Sequence, residues 1–264
     1  MRVPSEQELH TATARVLYRW DRREYFAVDA KHYWAIHYRN RLGAIVRAIS
    51  DFVPTGGSVL DVGCAQATAS ILLAERGFKV TAVEARPESI EYAKLRVESG
   101  DITFLCMDAT RLALNDEFDA ILLGEVLEHV PRPGTLIQQC RDMLRRGGMI
   151  VITTPNGLSP HNWLLASYDP RIMEAPSRAD LPSGLGGRET HLFCFRPNQL
   201  RDLVIRNGLM IERQQLLNSY VINPIGLHRI LPVRIAEQLN GFFSRIPLLA
   251  SCTTMTQFLV ARKP

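Results

Sequence analysis

The 264-residue chain lacks the features that mark membrane-spanning proteins, secreted proteins and proteins with a structural zinc site. It has no apolar run near the roughly 20 residues that a transmembrane helix needs. The best candidate, 246–260, is interrupted by Pro247 and by hydroxyl and amide side chains. The first ten residues contain no apolar core of a signal peptide. The five cysteines are scattered and form no Cys-x-x-Cys pair. We therefore expect a cytoplasmic protein with reduced thiols and no metal.

Lysine is also scarce, since nearly all basic residues are arginine. The positive charge is dispersed and forms no Lys/Arg run, so it is weak evidence for nucleic-acid binding. By region, the net charge is +4 over residues 1–50, −5 over 51–155 and +5 over 156–264. Two basic segments thus flank an acidic middle. We expect no nucleic-acid partner.

The acidic middle alternates short apolar runs with helix-period segments, as parallel α/β proteins do. The apolar runs predict five strands, at 58–62, 78–83, 102–106, 118–123 and 149–153. The alternation resumes as a helix at 197–207 and strands at 209–217 and 254–260. Two insertions, at about 156–195 and 218–251, leave the carboxyl ends of strands, where such sheets bind ligands. Long irregular loops at that edge predict two lids.

The N-terminal segment has a different pattern from the rest of the chain. Residues 9–22 and 31–52 show helical periodicity. We predict that residues 1–52 form a helical cap and that residues 53–264 form one α/β domain containing both insertions. The two basic segments would then form the rim of one ligand site.

Carboxylates stand at the ends of four successive predicted strands: Asp61, Glu84, Asp108 and Glu125. Clustered carboxylates raise one another's pKa, and their repulsion destabilises the fold. A cationic ligand would reduce this repulsion, whereas a pyrophosphate would increase it. This series disfavours a nicotinamide or flavin dinucleotide as cofactor, and with it an oxidoreductase. Glu84 stands about twenty residues after the first turn, where a carboxylate can bind ribose hydroxyls.

With these motifs the chain resembles the class I S-adenosylmethionine-dependent methyltransferases. VLDVGCAQA, VTAVEA, MDAT and FDAILLGEVLEHV are similar to the four family motifs at the right mutual spacing, and RRGGMIVITTPN to the fifth strand. The likeness covers about residues 55–156 strongly and 188–217 loosely. It is closest to the ubiquinone-biosynthesis-type small-molecule O-methyltransferases. It implies an α/β, Rossmann-like, doubly wound, seven-stranded and mostly parallel sheet whose last strand is antiparallel.

The resemblance implies a role in binding S-adenosylmethionine for each matching position. The methionine part would lie against Asp61, Gly63, Cys64, Ala65, Gly124 and Glu125, with Asp61 toward the ammonium group. The nucleoside would lie against Glu84 at the ribose and against Ala85, Asp108 and Ala109 at the adenine. Ala65 and Ala67 replace two glycines of the usual motif. Because alanine disfavours a positive φ, we expect a weakened cofactor affinity.

An oxygen or nitrogen acceptor with a high pKa needs a base to remove its proton, usually a histidine or a carboxylate. His129, in GEVLEHV, is one candidate, although it is equally well explained as a structural histidine before Pro131. His191 is the second candidate. His32, His37 and His161 are weaker ones.

We expect methyl transfer to a small-molecule acceptor, with oxygen favoured over nitrogen or carbon. The Arg-rich rim favours an anionic acceptor, such as a sugar, polyketide or lipid-linked intermediate. The alternatives are a peptide- or protein-directed methyltransferase and a non-catalytic cofactor-binding relative. The sequence after the fourth strand, LLGE, lacks the Asn/Asp-Pro-Pro-aromatic motif of nucleic-acid amino-methyltransferases. The apolar and Arg-containing insertion at 218–251 predicts either a lid or a peripheral membrane contact.

Overall fold

The computed structural model describes residues 1–26, 33–159, 191–219 and 254–264, together with isolated positions between 235 and 246. Most of both predicted lids, and with them His32 and His161, lie outside the described residues. No helix in the described ranges is long and apolar enough to cross a bilayer.

The core of the fold is a seven-stranded sheet with strand order β3-β2-β1-β4-β5-β7-β6. The strands are β1 Ser58–Val62, β2 Lys79–Glu84, β3 Asp101–Cys106, β4 Phe118–Gly124, β5 Leu144–Pro155, β6 Met210–Ser219 and β7 Thr254–Arg262. Strand β1 pairs in parallel with β2 and β4, whereas β7 runs antiparallel between β5 and β6. The predicted Rossmann-like sheet with an antiparallel last strand is confirmed.

The described residues form six α-helices: α1 Ala12–Glu24, α2 Tyr33–Phe52, α3 Thr68–Ala74, α4 Pro87–Arg96, α5 Pro133–Met143 and α6 Pro197–Arg206. A proline opens α4, α5 and α6, where its missing N–H costs nothing and its fixed φ suits the first turn. Short 3-10 turns cover Glu6–Glu8, Ala109–Arg111 and Leu127–His129.

Side chains of the central strands alternate between two buried layers, as a sheet covered on both faces requires. Leu60 and Ile121 pack on the side of α5 and α6. Val59 and Leu122 pack on the other side, where Ile49 of α2 joins them. Helix α1 packs instead on α4, around the buried Tyr92. The division into a cap and a domain at residue 52 stays a prediction.

Three local predictions need correction. The residue spacing predicts a helix from about Gln66 to Arg76, but α3 begins at Thr68, because Ala67 has a left-handed backbone. The spacing also predicts a helical stretch around 125–129, where the structure has only the 3-10 turn Leu127–His129. Strand β5 begins at Leu144 rather than at 149, since the Gly147-Gly148 pair forms an irregularity within the strand instead of a turn before it.

Candidate active site

The turn after β1 brings the backbone close to the ligand face of the sheet. Gly63, Ala65 and Ala67 have φ angles of 72°, 49° and 56°. A Cβ added to Gly63 would lie 2.8 Å from Cγ2 of Val126, so this position requires glycine for both conformation and space. The two alanines adopt the left-handed region although it costs an L-residue about 1–2 kcal/mol. We refer to residues 63–67 as the cofactor turn.

Asp61 lies beneath this turn at the end of β1 and is 3% exposed. Its carboxylate accepts a hydrogen bond of 2.5 Å from Oγ of Ser70. Burial, with a smaller contribution from the nearby Glu84 carboxylate, raises the pKa of Asp61 to about 6, although the hydrogen bond from Ser70 opposes the rise. A nearby cation would therefore stabilise the charged form of this group.

Glu84 connects the end of β2 to the cofactor turn. Its Oε2 accepts a hydrogen bond of 3.0 Å from the Ala65 N–H. Its Oε1 accepts from the backbone N–H and from Nε of Arg86, at 3.0 and 2.9 Å. Cys64, in the same turn, is half-buried, and burial raises the pKa of its thiol, which keeps it neutral. The exposed Ala85 follows Glu84.

Asp108 lies next to Glu84 along the sheet edge, because the Met107 N–H donates to the Glu84 carbonyl at 3.0 Å. The Asp108 carboxylate begins the 3-10 turn that contains Ala109. It accepts from the N–H and the hydroxyl of Thr110, at 2.8 and 2.9 Å. Three of the four predicted carboxylates therefore lie at the carboxyl ends of three neighbouring parallel strands.

Glu125 follows Gly124 at the end of β4 and has a φ of 59°. Its N–H donates to the Thr153 carbonyl at 2.9 Å. Its carboxylate forms an ion pair of 3.2 Å with Arg41 of α2. Arg41 is not among the site residues that the sequence predicts, and the only signal for it is the net positive charge of the first fifty residues.

The two candidate bases lie side by side although they come from distant parts of the chain. The ring centroids of His129 and His191 are 4.6 Å apart, edge to face. The contact forms because the N–H groups of Leu192 and Phe193 donate to the Glu128 carbonyl, at 2.7 and 3.3 Å. This hydrogen bonding places the segment after residue 190 against the turn that ends in His129.

Glu128, which is also not among the site residues that the sequence predicts, is buried beneath this pair. Its carboxyl group accepts a hydrogen bond of 3.0 Å from Thr154 and lies 4.0 Å from Nε2 of His129. Burial, and then the Glu125 carboxylate, raise the pKa of Glu128 well above its ordinary value. Its proton is therefore retained to a higher pH than that of an exposed glutamate.

Glu128, His129 and His191 each offer one ligand-type atom within 4.8 Å of the others. Metal ligands must be deprotonated, and burial favours the protonated form of Glu128. The geometry alone therefore does not make a metal centre, and the expected absence of a metal stays a prediction.

His37 lies apart from this pair. It is buried in α2, and its Nε2 lies 3.0 Å from Oγ1 of Thr256 in β7. Burial and then Arg41 lower its pKa to about 3. A side chain held neutral in this way fits a structural connection between α2 and β7 better than proton transfer.

Comparisons with known proteins identify the family and the fold of the chain. A family model described as a methyltransferase domain matches residues 60–152. A ubiquinone biosynthesis O-methyltransferase of Xylella fastidiosa is 40% identical over 113 residues, covering 41% of this chain and 46% of that protein. One from Cereibacter sphaeroides is 31% identical over 177 residues, covering 64% of this chain and 66% of that protein.

The fold is shared more widely than the sequence. The structure of the N-methyltransferase NodS from Bradyrhizobium japonicum, in complex with S-adenosyl-L-homocysteine, superimposes with a TM-score of 0.58 at 15% identity, covering 96% of this chain and all of that one. The chain spans about half the length of the first of its curated relatives. On motifs, sheet topology and family match together, the chain belongs to the class I S-adenosylmethionine-dependent methyltransferases.

Proposed function

We propose that the protein methylates a hydroxyl group of a small-molecule acceptor with S-adenosylmethionine as donor. The observation that carries the proposal is the acidic ligand edge, where Asp61 is buried with a raised pKa below a turn that Gly63 leaves open. Such an edge suits a ligand that carries cationic groups and lies close to the backbone of the turn. Oxygen is favoured as acceptor atom because the similar proteins from Xylella and Cereibacter are named O-methyltransferases.

Different residues of the cofactor turn and of the strand ends would contact different parts of the cofactor. Asp61 would neutralise the ammonium group, and Gly63, Cys64 and Ala65 would contact the methionine chain. Glu84 would accept hydrogen bonds from the ribose hydroxyls, for which it would exchange its contacts with Ala65 and Arg86. The adenine would lie between Ala85 and the Asp108–Ala109 turn, and Gly124 and Glu125 would border the methionine part.

When bound, the cofactor supplies a methyl group already activated by its sulfonium. The protein must then align the acceptor, exclude water and remove the acceptor's proton. His129 and His191 lie together at the end of β4, so a ring nitrogen of either one is in a position to take that proton. The buried Glu128 holds the backbone of the His191 segment beside His129.

The acceptor itself we propose to be anionic, because the segments of the chain on either side of the acidic middle carry net charges of +4 and +5. A non-catalytic cofactor-binding protein is the second candidate, favoured by the strained Ala65 and Ala67 in place of glycine.

An assay with methyl-labelled cofactor distinguishes these possible functions. It compares three acceptors: a phenol, the same phenol bearing a carboxylate, and a short peptide. Labelling of the carboxylated phenol above the other two supports the proposal. Labelling of the peptide alone, or of nothing, contradicts it.

The cofactor assignment is tested by calorimetric titration with S-adenosylhomocysteine. We expect micromolar binding, and we expect Glu84→Gln to weaken it about 10- to 100-fold, because hydrogen bonds to a charged group contribute about 1.5–3 kcal/mol. Glu88→Gln, at an exposed position in the first turn of α4, is the matched control. NADH should not bind, and binding of NADH instead would overturn the assignment.

The base is tested by comparing turnover with binding. Substituting the true base, His129→Gln or His191→Gln, should lower kcat by about 10²- to 10⁴-fold. The affinity for S-adenosylhomocysteine should change little, because neither ring belongs to the cofactor residues. If both variants turn over at the wild-type rate, the assignment of a histidine base is wrong.

A further inference from the structure

A fully buried ion pair joins helix α1 to helix α4 behind the cofactor turn. Asp21 and Arg96 are 1% and 0% exposed, and Nε of Arg96 lies 3.1 Å from Oδ2 of Asp21. The buried Tyr92 donates to the same carboxylate oxygen at 2.6 Å. Burial raises the pKa of Asp21, and Arg96 and the Tyr92 hydroxyl oppose that rise. Taking such charges out of water is expensive, so stability alone does not explain the pair.

The same guanidinium reaches the cofactor turn from behind. Nη1 of Arg96 donates to the backbone carbonyl of Gln66 and to Oγ1 of Thr68, the latter at 3.0 Å. Gln66 stands between Ala65 and Ala67, the two alanines with positive φ. A charged donor therefore holds the peptide group between the two positions where the backbone is strained.

We propose that Arg96, oriented by Asp21, is a positioning residue that holds the cofactor turn in its ligand-binding conformation. Glycine adopts a positive φ without strain, whereas alanine needs the surrounding structure to impose it. Hydrogen bonds from a charged donor are about twice as strong as neutral ones, and the buried site keeps water from competing for Gln66. Helix α1 thereby acts on cofactor affinity through Asp21 and Arg96. The inference depends on the proposed function, since it requires that the cofactor bind at this turn.

The main test replaces the whole pair, Asp21→Leu with Arg96→Met, because removing one partner alone would leave a buried charge and could prevent folding. Exchange of a buried ion pair for apolar side chains is often neutral or stabilising. We expect this variant to fold with an unfolding temperature near that of the wild type or lower, because the buried Tyr92 hydroxyl and the Gln66 carbonyl lose their partners in the exchange. Affinity for S-adenosylhomocysteine, measured by calorimetry well below that temperature, should fall at least tenfold. Wild-type affinity in this double variant would overturn the inference.

A second comparison tests the link to the strained alanines. Ala65→Gly removes the strain beside Gln66, so the turn should depend less on Arg96 in that background. We expect the loss of affinity caused by the Asp21→Leu/Arg96→Met pair to be at least threefold smaller with Gly at position 65. An equal loss in both backgrounds would show that the pair does not act through the conformation of the turn.

Leu17→Ala is the control for general loosening of α1, because Leu17 is buried against Tyr92 but is not part of the ion-pair network. It should lower the unfolding temperature and leave the dissociation constant of S-adenosylhomocysteine within twofold of the wild type. If Leu17→Ala weakens binding as much as loss of the ion pair, the role of Arg96 is only structural. Absence of binding to the wild-type protein would instead overturn the proposed function itself.

Discussion

At the scale of single residues, the ligand edge holds groups that cost the unliganded protein free energy. Asp61 is buried next to another carboxylate, and its pKa of about 6 measures that cost against the ordinary value of 3.8. The difference corresponds to roughly 3 kcal/mol, at about 1.36 kcal/mol per pKa unit. A ligand ammonium would recover part of it. Destabilising groups that a ligand relieves are typical of functional sites.

The pKa of Asp61 predicts a pH dependence of cofactor binding. A raised folded-state pKa means that the folded protein holds this proton longer than the unfolded chain, so its contribution destabilises the fold as pH rises from about 4 to 6. Binding of the ammonium favours the ionised form. We therefore expect the affinity for S-adenosylhomocysteine to rise between pH 5 and 7, with proton release visible by calorimetry in buffers of different ionisation enthalpy.

Asp61→Asn should flatten this pH profile, weaken binding at pH 7 and stabilise the unliganded protein. Asp51→Asn, at an exposed position in α2, is the control and should leave the profile unchanged. An unchanged profile in Asp61→Asn would mean that another group is responsible for the pH dependence.

Two glycines allow the cost of backbone strain to be separated from the cost of a steric clash. Gly63 and Gly56 both have a positive φ, but an added Cβ at Gly56 meets nothing within 4 Å, whereas at Gly63 it meets Val126. Gly56→Ala should therefore cost only the strain, about 1–2 kcal/mol of unfolding free energy. Gly63→Ala should cost about 1–3 kcal/mol more because of the clash. Urea unfolding of both variants measures the difference, and equal losses would contradict it.

At the scale of elements, helix α2 is tied to the ligand edge at two points. Arg41 pairs with Glu125 after β4, and His37 contacts Thr256 of β7. The C-terminal half of the same helix packs on the sheet through Ile45 and Ile49. Helix α2 therefore contacts the residue that follows β4, four positions before the candidate base His129.

The connection through His37 predicts acid sensitivity. Its folded pKa of about 3 lies below the ordinary 6.5, so the unfolded chain takes up a proton that the folded protein excludes. The stability that this group contributes is present above pH 6.5 and is lost as pH falls toward 3. His37→Gln keeps a hydrogen-bonding group for Thr256 and removes the titration. The loss of unfolding free energy between pH 6.5 and 4.5 should then be smaller by about 2–3 kcal/mol, at about 1.36 kcal/mol per unit.

Urea unfolding at the two pH values measures this difference, and Asp61 is common to both proteins and cancels in the comparison. His10→Gln, at an exposed position before α1, is the matched control. If wild type and His37→Gln lose the same free energy on acidification, His37 is already charged at pH 6.5 or exposed in solution.

At the scale of the whole molecule, the site is spread over the carboxyl edge of a sheet that contains every described strand. A ligand that joins the ends of β1, β2 and β4 stabilises the native state as a unit. At a concentration one hundred times its dissociation constant, S-adenosylhomocysteine should add about 2.7 kcal/mol. For a chain of this size that corresponds to a rise in unfolding temperature of about 5–10 °C. A thermal melt with NADH as control measures it, and equal shifts with both ligands would contradict a specific site.

The sequence by itself determined the elements and the acidic edge of this protein. Strands and helices are set by short-range periodicity, and parallel strands bring their carboxyl ends to one edge, so Asp61, Glu84 and Asp108 could be placed from local patterns alone. The left-handed backbone of Ala65 and Ala67 could not be derived from local patterns, because alanine at a positive φ is stable only where tertiary contacts impose it.

Tertiary structure alone decided which distant side chains meet. The pairing of Arg41 with Glu125, the contact of His129 with His191 and the ion pair of Asp21 with Arg96 each join segments far apart in the chain. No periodicity encodes such contacts, because they depend on how one element packs against another. The sequence thus predicts the proposed cofactor edge from local chemistry, whereas the contact between the two candidate bases and the support of the cofactor turn come from the packing of distant segments.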